Sequence, residues 1–119
     1  MKKIILIACV KEKLNHPAKA IDIYQGSLFK NWLNLAGKLD YDLLFILSGK
    51  HGLLDPQKII HPYDLNLNNQ NNEYKKKWAE NVVNELKLIS DLKKDQYIFF
   101  CEDSYKELIS PFLTNHQSL

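Results

Sequence analysis

Three short groups of polar and reactive side chains stand directly after three apolar stretches of the sequence. The first group runs from the thiol of Cys9 to the ammonium group of Lys13, the second spans residues 48–52, and the third contains Cys101 and Glu102. In open α/β sheets, ligands bind beyond the carboxyl ends of the strands, so parallel strands would bring these groups to one edge. The sequence therefore predicts a single ligand site to which all three groups contribute.

The second group, Ser48-Gly49-Lys50-His51-Gly52, is the strongest local signal. Its two glycines would let the backbone turn sharply and approach a ligand closely. Lys50 offers a positive charge to a phosphate or a carboxylate, and His51 can exchange protons near neutral pH as a catalytic group. The alternative interpretation is a tight turn with a solvated lysine and a structural histidine. No serine or threonine follows the Gly-Lys pair, so this is not a nucleotide-binding P-loop.

Cys9 is a candidate catalytic nucleophile, because a thiol close to lysine ammonium groups reacts more readily as a thiolate. The competing interpretation is a cysteine that only packs, since free cysteine is among the most buried residue types. Two cysteines make no disulfide framework, which favours a reducing cytoplasm. No short-range spacing of histidine, cysteine or carboxylate is typical of a metal site, and we expect neither a metal nor another cofactor.

Two further segments contain candidate binding residues. After Pro62, Tyr63 could stack on a planar ring, and Asp64 could hold a ribose hydroxyl or act as a catalytic base. A rigid turn with a packed tyrosine and a capping aspartate explains them equally well. Tyr24 could also stack on a base, and Ser27 is the expected N-cap of a helix whose N-terminus would attract an anion. Capping alone would also account for the serine.

The pattern of apolar residues predicts the elements that position these side chains. Apolar positions at helical spacing follow Ser27, Tyr74 and Asp103. Nearly continuous apolar runs, typical of strands buried on both faces, occupy residues 3–9, 42–48 and 96–101. The alternation of strands and helices predicts an α/β fold, a three-layer sandwich with a mostly parallel, Rossmann-like sheet of about four strands.

The whole chain, residues 1–119, is expected to form one domain. A short strand is expected at 58–60, within a stretch that two prolines interrupt. The asparagine-rich residues 66–72 predict a surface loop, and residues 114–119 predict a mobile C-terminal tail.

All sixteen basic residues are lysines, and with fourteen acidic residues they give a net charge of +2. Because arginine is absent, the chain lacks the planar fork that reads guanine edges and clamps phosphates at two points. Sequence-specific reading of DNA is therefore disfavoured, although the codon bias of an AT-rich genome would also explain the absence. No apolar run reaches the roughly eighteen residues of a membrane span, so we expect no membrane partner.

The segments Phe45–Pro56 and Ile60–Leu65 resemble the Leu-Ser-x-x-x-Gly-Leu-x-x-Pro…Pro-Tyr-x-Leu signature of the YaaA peroxide-stress family. The chain is even more similar to small bacterial and phage proteins of unassigned function that share this signature. Those proteins continue the match with Cys-Ser-x-x-Lys and Ala-x-x-(Leu/Ile)-Tyr-x-Gly-x-Leu-Phe, whose counterparts are Cys9–Lys13 and Ala20–Phe29. Val10 stands where they have serine, so any role of that hydroxyl is lost or moved.

The resemblance implies a ligand that contains a nucleobase or a ribose, and YaaA-type proteins are linked to peroxide protection and DNA binding. Three hypotheses follow. The first is a small cytoplasmic enzyme that acts on a nucleotide, nucleoside or nucleobase-containing ligand, with an N-glycosidic bond as a candidate point of attack. The second is a non-catalytic protein that binds a nucleotide or a protein partner, such as a phage counter-defence protein. The third is a DNA-binding oxidative-stress protein.

Overall fold

The secondary structure alternates strands and helices along all of residues 1–119, which the computed structural model describes. The central sheet contains β1 (Lys3–Ala8), β3 (Leu43–Ser48), β4 (Gly52–Leu54), β6 (Gln96–Phe100) and β7 (Asn115–Ser118). A separate antiparallel pair consists of β2 (Ala18–Lys19) and β5 (Ile59–Ile60). The helices are α1 (Ala20–Ile23), α2 (Ser27–Ala36), α3 (Asn72–Ile89) and α4 (Asp103–Ile109), with 3₁₀ turns at Leu67–Asn69 and Ser110–Phe112.

The five strands of the central sheet follow the order β4-β3-β1-β6-β7. Strand β1 pairs in parallel with both β3 and β6, and β6 pairs in parallel with β7. Only β4 runs antiparallel, since it folds back directly from β3. The sheet is therefore mostly parallel, as the sequence predicts, with one strand more than the expected four.

Alternate side chains of β1 enter two separate cores, one on each face of the sheet. Ile4 and Leu6 alternate along the strand with Ile5 and Ile7, and all four are fully buried. The first pair packs in the core that contains residues of α3 and α4, whereas the second packs with residues of α1 and α2. Helices thus cover both faces, which explains why the strand is continuously apolar. The predicted three-layer α/β architecture is confirmed.

The order of the strands creates a point at which the chain changes direction across the sheet. From β1 the chain crosses through α2 to β3 on one side, and later through α3 to β6 on the other. Such a switch point leaves a crevice beyond the carboxyl ends of the two strands that flank it, and ligands bind there in doubly wound folds. Here those strands are β1 and β6.

Three local expectations differ from the structure. Gly26 occupies the N-cap of α2 with φ of 94°, so Ser27 is the first helical residue and not the cap. The predicted C-terminal tail contains β7, whose four residues are all exposed; an edge strand without buried side chains has no apolar pattern to reveal it. The short strand β4 was also missed, because it follows the glycine-containing turn after only three residues.

None of the helices has the length and apolar character required to cross a bilayer.

The core prediction compares two leucines of opposite exposure. Replacing the fully buried Leu6 by alanine is expected to lower the free energy of unfolding by about 2–5 kcal/mol, because it leaves a cavity beside the central strand. Leu88, which is 85% exposed, provides the matched control, and its replacement by alanine should change stability by less than about 0.5 kcal/mol. Urea denaturation measures both values. Equal losses would contradict the assignment of β1 to the core.

Candidate functional site

A cavity of about 440 Å³ lies at the carboxyl end of β1 and is here called the β1 pocket. Cys9 and Lys13 line it from the segment after β1, Asp64 from the loop before α3, and Glu102 from the segment after β6. These four residues, all predicted as site residues, therefore converge from three separate parts of the chain. The pocket stands at the switch point of the sheet, where the strand order allows a ligand to bind.

The Cys9 thiol is half-buried in this pocket and contacts an aromatic wall. Its sulfur lies 3.6 Å from the hydroxyl of Tyr105, a residue in the first turn of α4. Burial raises the pKa of Tyr105, and the neighbouring Cys9 raises it further, so the phenol keeps its proton and is a suitable donor to sulfur. The ring of Tyr105 packs edge-on against Trp78, at 5.8 Å between ring centroids. The position of the hydroxyl is thus fixed by the core.

Lys13 is the central cation of the β1 pocket. Its Nζ donates to the backbone carbonyls of Val10 and Lys11, at 3.2 and 3.1 Å, and lies 4.4 Å from the ring centroid of Tyr63. Burial lowers the pKa of this ammonium group, although Cys9 and Asp64 nearby work in the opposite direction. The side chain is therefore held in place, partly dehydrated, between a thiol and a carboxylate.

The N-terminus of α2 forms another part of the wall, through Gly26 and Ser27. A Cβ atom at position 26 would come within 2.9 Å of a carboxylate oxygen of Glu12, so this carboxylate lies beside the first turn of the helix. An acidic side chain there already interacts favourably with the helix dipole. The predicted attraction of a ligand anion to this helix end is therefore opposed by the protein's own carboxylate.

Ser48 joins two predicted tyrosines in a buried chain of hydroxyl groups. Its Oγ lies 2.7 Å from the hydroxyl of Tyr63, which in turn lies 2.5 Å from the hydroxyl of Tyr24. The Ser48 Oγ also accepts the backbone N–H groups of Lys50 and His51, at 3.3 and 3.0 Å. Because both lone pairs of the serine are thereby used, its proton must point to Tyr63.

The direction of the Ser48–Tyr63 hydrogen bond also decides the direction of the Tyr63–Tyr24 hydrogen bond. Since Tyr63 accepts from Ser48, its own proton is free to go to Tyr24. Burial raises the pKa of Tyr24 to about 12 and raises that of Tyr63 as well, so both phenols stay protonated at neutral pH. Tyr24 is only 1% exposed and Ser48 is fully buried. The structure therefore places both behind the pocket as supports, away from the surface that a ligand would touch.

The turn after β3 favours glycine for two different reasons. A Cβ on Gly49 would lie 3.2 Å from both the backbone nitrogen and the Cβ of Leu67, a tight contact that the Leu67 segment would have to relieve by a small shift. Gly52 has φ of 71°, in the left-handed region that glycine adopts at no steric cost. Both glycines are thus explained by the turn itself.

Lys50, His51 and Gly52 line a second hollow and do not line the β1 pocket. Their placement differs from the single site predicted from the sequence. The reason is the reversal at Gly52, which starts the antiparallel strand β4 and directs the turn toward α3. Tyr63 lies between the two cavities, because its ring is near Lys13 on one side and packs against His51, at 5.4 Å between centroids.

Cys101 is a further predicted residue that the β1 pocket does not contain. Both cysteines are free thiols, but burial raises the pKa of Cys101 to about 12, which keeps it protonated. No group of three or more histidine, cysteine or acidic side chains is arranged to hold a metal ion.

Several residues that line the β1 pocket were not singled out from the sequence as binding residues. They are Glu12, Gln25, Trp32, Asn66, Asn68 and Tyr105. In the sequence, Trp32 and Tyr105 fall among the apolar positions at helical spacing after Ser27 and Asp103, and the asparagines belong to the surface loop predicted at residues 66–72. For Glu12 and Tyr105 the sequence did contain a signal of a site. They lie only four and five residues after the ends of β1 and β6.

The hydroxyl chain gives a prediction on stability. Replacing Tyr63 by phenylalanine removes a group that bonds both Ser48 and Tyr24 and leaves a buried hydroxyl with one partner fewer. The free energy of unfolding should fall by about 1–3 kcal/mol. Tyr41, which is 44% exposed, is the control for the loss of a phenolic hydroxyl, and urea denaturation of both variants gives the comparison. A Tyr63 variant as stable as the Tyr41 variant would refute the role of the chain.

His51 gives a prediction on the dependence of stability on pH. Burial, and then the charges of Lys50 and Lys58, lower the pKa of His51 from the ordinary value of 6.5. The unfolded chain therefore binds a proton that the folded chain resists, and stability should fall as the pH drops from about 7 to about 5. In the His51→Gln variant this part of the loss should disappear. Denaturation curves at several pH values measure the two slopes, and identical slopes would contradict the prediction.

Comparison with known proteins identifies a family for nearly the whole chain. Residues 4–118 match DUF6884, a family of unknown function, and the chain belongs to it. No curated protein matches the chain. The resemblance to the YaaA family stays a prediction.

Proposed function

We propose that this member of the DUF6884 family is a small enzyme that acts on a nucleoside or nucleotide bound in the β1 pocket, at the N-glycosidic bond. The observation that carries the proposal is the convergence of Cys9, Lys13, Asp64 and Glu102 at the switch point of the sheet. The volume of about 440 Å³ lies within the range of pockets that enclose small organic ligands.

The lining of the pocket supports a ligand with a base, a sugar and a phosphate. Trp32 and Tyr105 offer aromatic surface to a planar base. Lys11 and Lys13 provide positive charge for a phosphate. The carboxylate of Glu12, beside α2, would not attract a phosphate. Asparagines of the 66–69 segment offer amide groups that match sugar hydroxyls in both donor and acceptor capacity.

Cleavage of an N-glycosidic bond develops positive charge on the anomeric carbon, and a nearby carboxylate stabilises that charge. Asp64 is our candidate for this role. Water attacks the anomeric carbon, the electron pair of the broken C–N bond leaves with the base, and the base takes up the proton that the attacking water loses. In a second version the Cys9 sulfur attacks first and its proton leaves with the base; water then displaces the sugar from sulfur and returns a proton to it.

Two broader expectations remain part of the proposal. A reducing, cytoplasmic setting is supported by the two cysteines, which are free thiols. A functional relation to the YaaA family is supported by the sequence motifs alone. The apolar Val10 also lines the pocket, so the reaction proposed makes no use of a hydroxyl at this position.

The experiment is an assay of nucleobase release from a panel of nucleosides, nucleotides and short nucleic acids, followed by chromatography. Replacing Asp64 by asparagine should lower kcat about 100-fold or more with little change in KM, since the lost charge acts mainly in the transition state. Asp40, an exposed aspartate outside the pocket, is the matched control and its asparagine variant should keep full activity. Loss of activity in Cys9→Ala would assign the attacking atom to sulfur, and retention would assign it to water.

The other hypotheses give different outcomes in the same panel. Saturable binding of a nucleotide, measured by calorimetry, without formation of any product would favour a non-catalytic binding protein over an enzyme. Retardation of DNA in a gel at low salt, lost steeply as salt increases, would favour a DNA-binding protein. Turnover that is equal in the wild type and the Asp64 variant would refute the role of the carboxylate.

A further inference from the structure

A second hollow of about 500 Å³ lies between the turn at residues 48–52 and the outer face of α3. It is here called the α3 hollow, and it is separate from the β1 pocket in its lining. Its polar and charged side chains are Lys50, His51, Lys77, Asn81, Asn84 and Glu85.

The floor of the α3 hollow is built by hydrogen bonds that leave these side chains free. The indole Nε1 of Trp78 donates to the Ser48 carbonyl at 2.7 Å, in a buried bond, and the hydroxyl of Tyr74 donates to the Gly49 carbonyl at 2.8 Å. Two aromatic residues of α3 therefore hold the turn against the helix. The hollow is formed before any ligand arrives, which reduces the entropic cost of binding.

Hydrogen-bond donors converge on the hollow from both of its walls. Lys77, Asn81 and Asn84 are exposed and stand four and three residues apart, so they share one face of α3. Lys50 lines the hollow from the turn opposite α3, and its Nζ lies 5.7 Å from the ring centroid of Tyr63. Ammonium groups only donate, and amides can donate two hydrogen bonds each. This lining favours a ligand that is negatively charged and rich in acceptor oxygens.

The local charge balance agrees with this preference. Lys58 stands close enough to affect both His51, whose pKa it helps to lower, and Glu85. Lys50 and Lys77 thus line the hollow, Lys58 stands nearby, and Glu85 is the one acidic side chain of the lining. Burial raises the pKa of Glu85, and Lys58 works in the opposite direction.

We propose that the α3 hollow is a phosphate-binding site, in which Lys50 and Lys77 supply charge and Asn81 and Asn84 donate hydrogen bonds to the phosphoryl oxygens. Lysine binds phosphate as a point charge, so the site does not require the arginine fork that this chain lacks. The site stands independently of the proposed reaction, because none of its lining residues belongs to the β1 pocket. Its ligand is free inorganic phosphate or the phosphate of a nucleoside monophosphate.

The experiment is a nuclear magnetic resonance titration of the labelled full-length protein with inorganic phosphate, at constant ionic strength maintained with chloride. The imidazole of His51 is the reporter, since its Nε2 is buried without a hydrogen-bond partner and its ring lies in the wall of the hollow. Saturable shifts of His51 and of the amide groups of Asn81 and Asn84 are expected, with a Kd below about 10 mM. The imidazoles of His16 and His116, both exposed, should not shift and serve as internal controls.

Variants separate a specific site from general attraction to lysine. Lys50→Gln and Lys77→Gln should each weaken phosphate binding about three- to tenfold, whereas Glu85→Gln should tighten it, because it removes the opposing charge. Lys76→Gln is the matched control, since Lys76 is exposed on the same helix but does not line the hollow, and it should leave the Kd unchanged. Equal weakening in Lys76→Gln and Lys77→Gln would overturn the site.

The same titration with adenosine and with adenosine monophosphate distinguishes the two sources of phosphate. Free phosphate is the ligand if inorganic phosphate shifts the α3 hollow and the monophosphate binds no tighter. The nucleotide is the ligand if the monophosphate binds at least tenfold tighter than inorganic phosphate while adenosine leaves the hollow unshifted. The proposal is overturned if neither phosphate nor monophosphate shifts these resonances, whatever the outcome of the assay of nucleobase release.

Discussion

The hydroxyl group of Ser48 is the interaction on which the arrangement of this protein depends. It stands fully buried at the end of β3, accepts two backbone N–H groups of the following turn and donates to Tyr63. The same residue's carbonyl accepts the indole N–H of Trp78 from α3. One serine thus fixes the course of the turn, the packing of α3 and the position of the ring that separates the two cavities. Because Ser48 itself is fully buried, the loss of a partner would leave one of its polar atoms unsatisfied.

The sequence contains enough information to predict the layers of the fold and part of the site. Continuous apolar runs identify β1, β3 and β6, because strands covered on both faces have no polar side to interrupt the pattern. The rule that ligands bind at the carboxyl ends of parallel strands predicts a common location for Cys9, Lys13 and Glu102, and all three line the β1 pocket. Asp64 joined them from a loop, and its place depends on the long-range packing of that loop, which no local pattern encodes.

One part of the candidate site could not be predicted, and the physical reason lies in the turn after β3. The sequence shows two glycines, a lysine and a histidine, and it does not show whether the turn leads toward β1 or toward α3. The direction is decided by Tyr74 and Trp78, which bond the carbonyls of the turn from a helix more than twenty residues away. Both aromatic residues fitted an apolar helical stripe, and their polar atoms gave no sign of a partner in the sequence.

The position of β1 at the centre of the sheet has a consequence for the synthesis of the chain. Its residues are synthesised before both neighbours that cover its edges, β3 and β6, which follow about 40 and 90 residues later. Until residue 100 has been made, the strand Lys3–Ala8 has an unpaired edge and an apolar sequence, which is the combination that promotes association between nascent chains. Completion of the sheet must wait for the synthesis of β6 and β7. A delay in translation beyond β3 would prolong the interval in which this strand is open to wrong partners.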